Sequence, residues 1–244
     1  MSIKSSTSSF PLFGEAFSPN EPKENSSRIT QLFPILLHEF YVDNYSKIKK
    51  ELINYCYKER EKDYKGITRS NIGNSWHSNI FYHMSENIIS TTVKSALSTY
   101  LTTYPVFKKQ TIVDVDTLWI NINSVGGRNN QHNHPNSDLS GVFWIKSPKN
   151  CGTLLFQNQN NFTEFNCLNS YTETVSKKFN KFTSYHIPPR EGWVLLFPSH
   201  LNHEVEENLN ELNEDRISVS FNISVTTPKE DNTNTISRSP NVIY

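Results

Sequence analysis

The sequence predicts a mainly β protein with accessory N-terminal helices, its core an antiparallel sandwich or barrel. Two observations place the strands. Beyond residue 110, short runs rich in β-branched and aromatic residues are punctuated by Gly, Pro and Asn, as strands bounded by turns require. Within 216–222, Arg216, Ser218, Ser220 and Asn222 alternate with Ile217, Val219 and Phe221, and within 118–123, Leu118, Ile120 and Ile122 alternate with Trp119, Asn121 and Asn123. Side chains on a strand alternate between faces, so one face of each run packs a core and the other meets water or a polar cavity. A third observation sets the helices apart: before residue 110 the apolar residues recur every three to four positions instead.

In chain order, residues 1–28 are rich in Ser, Pro, Asn and Lys and read as an N-terminal arm. A single domain is expected over 29–226, with a helical part at 29–110 and a β core at 111–226, followed by a polar tail at 227–244. Asp43 is an N-cap candidate for a helix carrying Tyr45, Ile48, Leu52, Ile53 and Cys56 and ending near Lys62. A second helix is expected from Ser85 to Tyr100, with Ile88, Ile89, Val93 and Leu97 on its apolar face. The polar, Gly-containing stretch 67–78 between them reads as a loop. Strands are expected near 111–116, 118–125, 139–147, 152–157, 181–188, 193–198, 202–206 and 215–226.

Composition narrows the function classes. The 244 residues carry 24 Lys and Arg against 24 Asp and Glu, a formal net charge of +0. No global basic field exists to draw in a nucleic-acid backbone, so nucleic acid is not the expected partner. Three cysteines without a CxxC pair are expected to be reduced thiols in a cytoplasmic protein. No stretch approaches the roughly 18 apolar residues of a membrane span, and no membrane partner is expected. Oligomeric state is not written in the sequence.

The chemistry-bearing residues fall into two groups. His132 and His134 are one residue apart, with Pro135 ending the extended run, and His203 follows the apolar segment Trp193–Phe197 across a turn at Pro198–Ser199. Alternate residues on a strand share a face, so a third imidazole from a distant strand can close a facial set that leaves coordination positions open. Such a set suits Fe(II), Zn(II) or another late first-row ion. Asp138 is the nearest carboxylate and an alternative second ligand, or an acceptor for an imidazole N–H; His200 lies three residues before His203. The second group is Arg216 with Ser218, on one face of a strand whose own face carries no acid. A guanidinium there needs an anion, either the carboxylate of a co-substrate or an Asp or Glu from another strand. His77, Asn121 and Asn123 are candidates for the wall beside it, Asn123 on the co-substrate side. Trp119, Phe143, Trp144 and Trp193 are read as packing.

These residues also carry a family resemblance. His132-Asn133-His134-Pro135, Asp138 to Trp144, Gly152 to Phe156, Pro189 to Trp193, Phe197-Pro198-Ser199 to His203, and Arg216 to Asn222 resemble the 2-oxoglutarate and Fe(II)-dependent oxygenases. More narrowly they are similar to the prolyl-hydroxylase-like members with an HxHP and LSGV-type core. The resemblance runs from about Leu32 to Ser224 and includes Ser70-Asn71 and Trp76-His77-Ser78. It implies a double-stranded β-helix (a cupin-like jelly roll), and a dioxygenase using Fe(II), 2-oxoglutarate and O2 to hydroxylate a peptidyl or small-molecule substrate with release of succinate and CO2. It also implies that His132, His134 and His203 hold the metal and that Arg216 and Ser218 anchor the far carboxylate of 2-oxoglutarate. The departure is His134, which stands where the family usually has Asp or Glu. Two other readings remain open: a cupin-like three-His dioxygenase that uses no keto acid, and a non-catalytic jelly-roll binding module.

Overall fold

In a computed structural model that describes residues 33–82 and 86–228, the chain runs β1 (His38–Tyr41), α1 (Tyr45–Lys62), β2 (Asn71–Ile72), β3 (Ser75–His77), β4 (Phe81–Tyr82), α2 (Ile88–Thr103), β5 (Ile112–Asn123), β6 (Arg128–His132), β7 (Leu139–Lys146), β8 (Leu154–Gln157), α3 (Asn161–Ser170), α4 (Glu173–Phe179), β9 (Ser184–Ile187), β10 (Trp193–Pro198), β11 (His203–Val205) and β12 (Arg216–Thr226). It divides into Met1–Pro34, of which only residues 33 and 34 are described, and Ile35–Tyr244, which carries every one of these elements. The expected arm at 1–28 and all but the first two residues of the expected tail lie outside the described residues.

All strand pairs are antiparallel and form two sheets. The larger runs β1-β10-β7-β12-β5-β3, with β4 also on β5; the smaller runs β2-β6-β11-β8-β9. Consecutive strands therefore alternate between sheets through much of the core, the winding of a double-stranded β-helix.

The alternation read from β5 and β12 decides which face is which. Leu118, Ile120, Ile122, Ile217, Val219, Phe221 and Ile223 form one core with Leu52 and Cys56 of α1 and Ile89, Val93 and Leu97 of α2. The helices thus seal the outer face of the larger sheet. On the inner face the cross-strand register lays the polar residues in rows: Asn121 sits between His77 and Ser218, and Ser218 opposite Trp144; Trp119 opposes Ser220, which opposes Val142. Between the sheets a second apolar cluster, with Val142, Trp144, Leu154, Phe156, Leu195 and Phe197, fills one side of the barrel. The other side is left to the polar rows.

Several local expectations shift. Helix α1 starts one residue later, with Asn44 at its N-cap in a left-handed conformation and no side-chain cap, so Asp43 does not play that role. Asn87 caps α2 through a reciprocal capping box with Ser90, which moves the start from Ser85 to Ile88. The stretch 67–78 is not a bare loop: β2 and β3 lie within it and attach to different sheets. The separate strands expected at 111–116 and 118–125 are one strand, β5, because the single Thr117 between them is no turn.

Candidate metal centre and co-substrate site

His203 of β11 is the direct cross-strand partner of His132 of β6, so the two side chains rise from the same face of the smaller sheet. Their ring centroids are 4.4 Å apart. His134 lies two residues beyond His132, past the end of β6, where its backbone N–H donates to Ser199 O at 2.9 Å. Its ring centroid is 5.1 Å from that of His132 and 5.3 Å from that of His203. One ligand atom from each of the three lies within 4.8 Å of the others, a spacing that could hold a metal ion.

The tautomers follow from the hydrogen bonds. The Nδ1 of His132 lies 2.7 Å from Asn130 O and that of His203 2.9 Å from Leu201 O. A carbonyl oxygen only accepts, so each Nδ1 carries the proton and each Nε2 keeps a free lone pair. Electrostatics keeps the rings neutral. Burial pulls His203 down to about 3, with the His132 charge adding to the effect, and pulls His134 down to about 4 for the same two reasons. Burial lowers His132 as well. At neutral pH all three rings are neutral and keep a nitrogen lone pair, which is what metal ligation requires.

Asp138 does not join this group: its Oδ2 accepts from the Val225 N–H at 2.7 Å. His200 is exposed, and its carbonyl accepts from Gln159 Nε2.

Arg216 opens β12 with only 2% of its surface exposed. Its Nη1 donates to the carbonyls of Cys151 and Glu206, the latter at 3.1 Å, while its Nη2 is buried without a hydrogen-bond partner. Burial lowers its pKa to about 10, leaving it charged at neutral pH. Neither of its hydrogen bonds goes to a carboxylate, so the alternative of a structural ion pair is not what the fold builds. A buried cation with an unused donor is costly unless an anion completes it.

Both groups line one cavity of about 710 Å3. Ser218 and Asn123 lie on its wall, Asn123 directly opposite Arg216 in the register and donating to Ser75 Oγ at 2.8 Å and Asn129 Oδ1 at 3.2 Å. Asn121 and His77 line it too; His77 stacks on Trp119 with planes 7° apart, and Trp119 in turn lies 5.6 Å from His134. Trp119 and Trp144 therefore face the site as well as packing, whereas Phe143 belongs to the sealed outer core. Among the described residues the lining contains no Asp, Glu or Lys, and its cations there are the buried Arg216 and the exposed Arg69. Asn129, buried and bridging Asn123 to Ser70 Oγ, had no signal in the sequence beyond being one Asn among several.

Comparison with known proteins agrees with this geometry. Residues 117–222 match the family described as "Putative 2OG-Fe(II) oxygenase". No curated protein matches the chain in sequence. Among solved structures, a Pseudomonas putida prolyl-4-hydroxylase is 12% identical, with 76% of this chain and 91% of that chain covered at a TM-score of 0.52. A Trichoplax adhaerens prolyl hydroxylase, solved with a hypoxia inducible factor oxygen degradation domain peptide fragment, is 11% identical over 77% and 83% at 0.52. HygX from Streptomyces hygroscopicus, solved with nickel, 2-oxoglutarate and hygromycin B, is 9% identical over 78% and 83% at 0.52. These likenesses carry the fold, and the β core over residues 117–222 is similar in sequence to the 2OG-Fe(II) oxygenases. The match and the site together support a 2OG- and Fe(II)-dependent oxygenase.

Proposed function

We propose that His132, His134 and His203 hold Fe(II), that Arg216 and Ser218 anchor the far carboxylate of 2-oxoglutarate, and that the substrate hydroxylated is peptidyl. The observation that supports the first two roles is the pairing, in one cavity, of three neutral imidazoles within 4.8 Å with a buried guanidinium whose Nη2 has no partner. Both halves fit the implied groups: bare imidazole nitrogens suit a first-row divalent ion, and an unused, desolvated Nη2 suits a carboxylate.

Iron in this class supplies oxidation by dioxygen, coupled to decarboxylation of 2-oxoglutarate to succinate and CO2. The chain supplies position and environment. The carbonyls of Asn130 and Leu201 fix the tautomers of His132 and His203. The guanidinium and the Ser218 hydroxyl, two residues along the same face, hold one end of the co-substrate and leave the other free to reach the imidazoles. Phe156 and Phe197 pack against His203, the latter edge-on at 4.8 Å, and keep water from that side.

The peptidyl reading draws support from the lining near the metal-binding imidazoles. Asn130, Gln131 and Asn133 offer side-chain amides there, which match the alternating donors and acceptors of a peptide backbone. The lining, which among the described residues has no carboxylate and carries Arg69, supports a neutral or acidic peptide over a basic one. A small-molecule substrate is the second reading. The three unpaired cysteines support a cytoplasmic placement.

Anaerobic addition of Fe(II) and 2-oxoglutarate is expected to give a weak visible charge-transfer band that Arg216→Ala strongly weakens. Iron binding without that band in the unaltered protein refutes the keto-acid reading and leaves the three-His dioxygenase. For the substrate, succinate formation and one added oxygen atom in the peptide, read by mass spectrometry, should be greater with Asp- or Glu-bearing peptides than with Lys-bearing ones. Equal turnover of both sets removes the charge argument.

A further inference from the structure

The two carbonyls that hold Arg216 come from segments far apart in sequence. Cys151 precedes β8 and Glu206 follows β11, and neither residue lines the site cavity. The segments are tied to each other by Glu206 itself and by Thr153, two residues beyond Cys151. Glu206 Oε2 accepts from both the Thr153 N–H, at 3.1 Å, and the Thr153 hydroxyl, while the Glu206 N–H donates back to Thr153 O at 2.9 Å. His186 of β9 adds a third member, its Nδ1 lying 3.1 Å from Thr153 Oγ1 and 3.5 Å from Glu206 Oε1.

Between the two carbonyl-bearing segments sits Gly152, at φ +80°, where an added Cβ would fall 2.5 Å from Glu206 O. That oxygen is the one that accepts from Arg216 Nη1. The backbones therefore meet as closely as they do only because residue 152 has no side chain. Burial acts to raise the Glu206 carboxyl, but the Thr153 hydrogen bonds and the His186 charge outweigh it and leave the carboxyl below its ordinary range. The charged form is the one that holds the tie.

We propose that the Thr153–Glu206 pair is a positioning clasp for Arg216: it fixes the Cys151 and Glu206 carbonyls on Nη1 and thereby aims Nη2 at the co-substrate's far carboxylate. The inference rests on the anchor role of Arg216 given above. Thr153 and Glu206 act through Arg216 and are positioning residues, without touching the keto acid. The clasp lies on the surface of the smaller sheet, next to a second cavity lined by Cys151, Thr153 and Glu206, so it can be altered without entering the site.

The test is calorimetric titration of the Zn(II)-loaded, full-length protein with 2-oxoglutarate and, separately, with pyruvate, a 2-oxo acid that lacks the far carboxylate. The unaltered protein should favour 2-oxoglutarate by at least about 30-fold, and Arg216→Ala should erase that preference. Glu206→Ala and Thr153→Val should each weaken 2-oxoglutarate by about five-fold or more while leaving pyruvate unchanged, and Thr153→Ser should restore the unaltered ratio. Unchanged pyruvate binding reports that the imidazole end is still folded. Variants that keep the full preference overturn the clasp, as does Thr153→Ser behaving like Thr153→Val. If Arg216→Ala keeps the preference, the anchor role fails and the clasp with it.

Discussion

In the larger sheet, Arg216, Ser218 and Asn123 sit on β5 and β12, strands of 12 and 11 residues whose opposite faces are sealed by helices. In the smaller sheet, His132 and His203 sit on strands of 5 and 3 residues. The long strands place side chains by burial: a slip of one residue would turn Phe221 and Ile217 into the cavity and Ser218 into the core, so hydrophobic patterning alone fixes which groups face the co-substrate. The short strands have no such leverage. There the imidazoles are held individually, each Nδ1 on the carbonyl two residues before it. The anchor end thus depends on the core, and the metal end on a few local hydrogen bonds.

The severest way to break the contrast is through the larger sheet. Phe221 is fully buried beneath the helices, and Gly141 leaves the space its ring fills, since a Cβ there would lie 2.2 Å from Phe221 Cζ. Phe221→Ala should cost about 3–5 kcal/mol, read from the denaturant midpoint at unchanged slope. A cost under about 1 kcal/mol would mean that burial does not set the register of β12. Arg216→Ala should behave oppositely, weakening 2-oxoglutarate by about 2–5 kcal/mol yet leaving the denaturation midpoint nearly unchanged, because the lost Nη1 bonds are offset by relief of a buried charge. A loss of stability comparable to that of Phe221→Ala would make Arg216 a fold residue first.

At the metal end, His134→Ala should lower metal affinity by more than the roughly 10–100-fold that outer-shell losses cost, measured by competition with a chromophoric chelator. Asp138→Ala should leave metal affinity unchanged and cost about 1 kcal/mol of stability through the lost bond to the Val225 N–H. Loss of metal in the Asp138 variant alone would reverse the assignment of the second ligand.

The same contrast explains what could be read from the sequence. Strands β5, β7, β10 and β12 announced themselves by apolar alternation or apolar runs, and the inward face of Arg216 and Ser218 followed directly from it. Strand β6, Arg-Asn-Asn-Gln-His, has neither a β-branched nor an aromatic residue; it is a strand because β2 and β11 pair with it, and nothing in its own composition says so. No helix is expected between the strands at 152–157 and 181–188, yet α3 and α4 lie there. The three imidazoles were legible from spacing and from the resemblance. The clasp was not, because Cys151 and Glu206 reach Arg216 through backbone carbonyls, which every residue has. Asn208 was missed for the same reason: buried, it donates to Asn123 O and Glu214 O and holds the approach to β12.

The gentlest probe of the metal end is pH. Folded His203 and His134 titrate near 3 and 4, against 6.5 for an unperturbed imidazole. Between those limits the unfolded chain binds more protons than the folded one, so stability rises with pH there. For the metal-free protein, the contribution of these rings should be fully present above pH 6.5 and lost as pH falls toward 4 and then 3. The slope should reach at most about 1.4 kcal/mol per pH unit for each proton taken up, and less where the first imidazolium opposes the second. Zn(II) should steepen the loss, since each ligand protonated on the way to unfolding also releases metal. His134→Ala should shallow the slope of the metal-free protein, whereas Arg216→Ala, at the other end of the cavity, should leave it alone. Equal slopes in the unaltered and His134→Ala proteins would show that this imidazole is not desolvated by the fold, and the neutral three-His centre would lose its electrostatic basis.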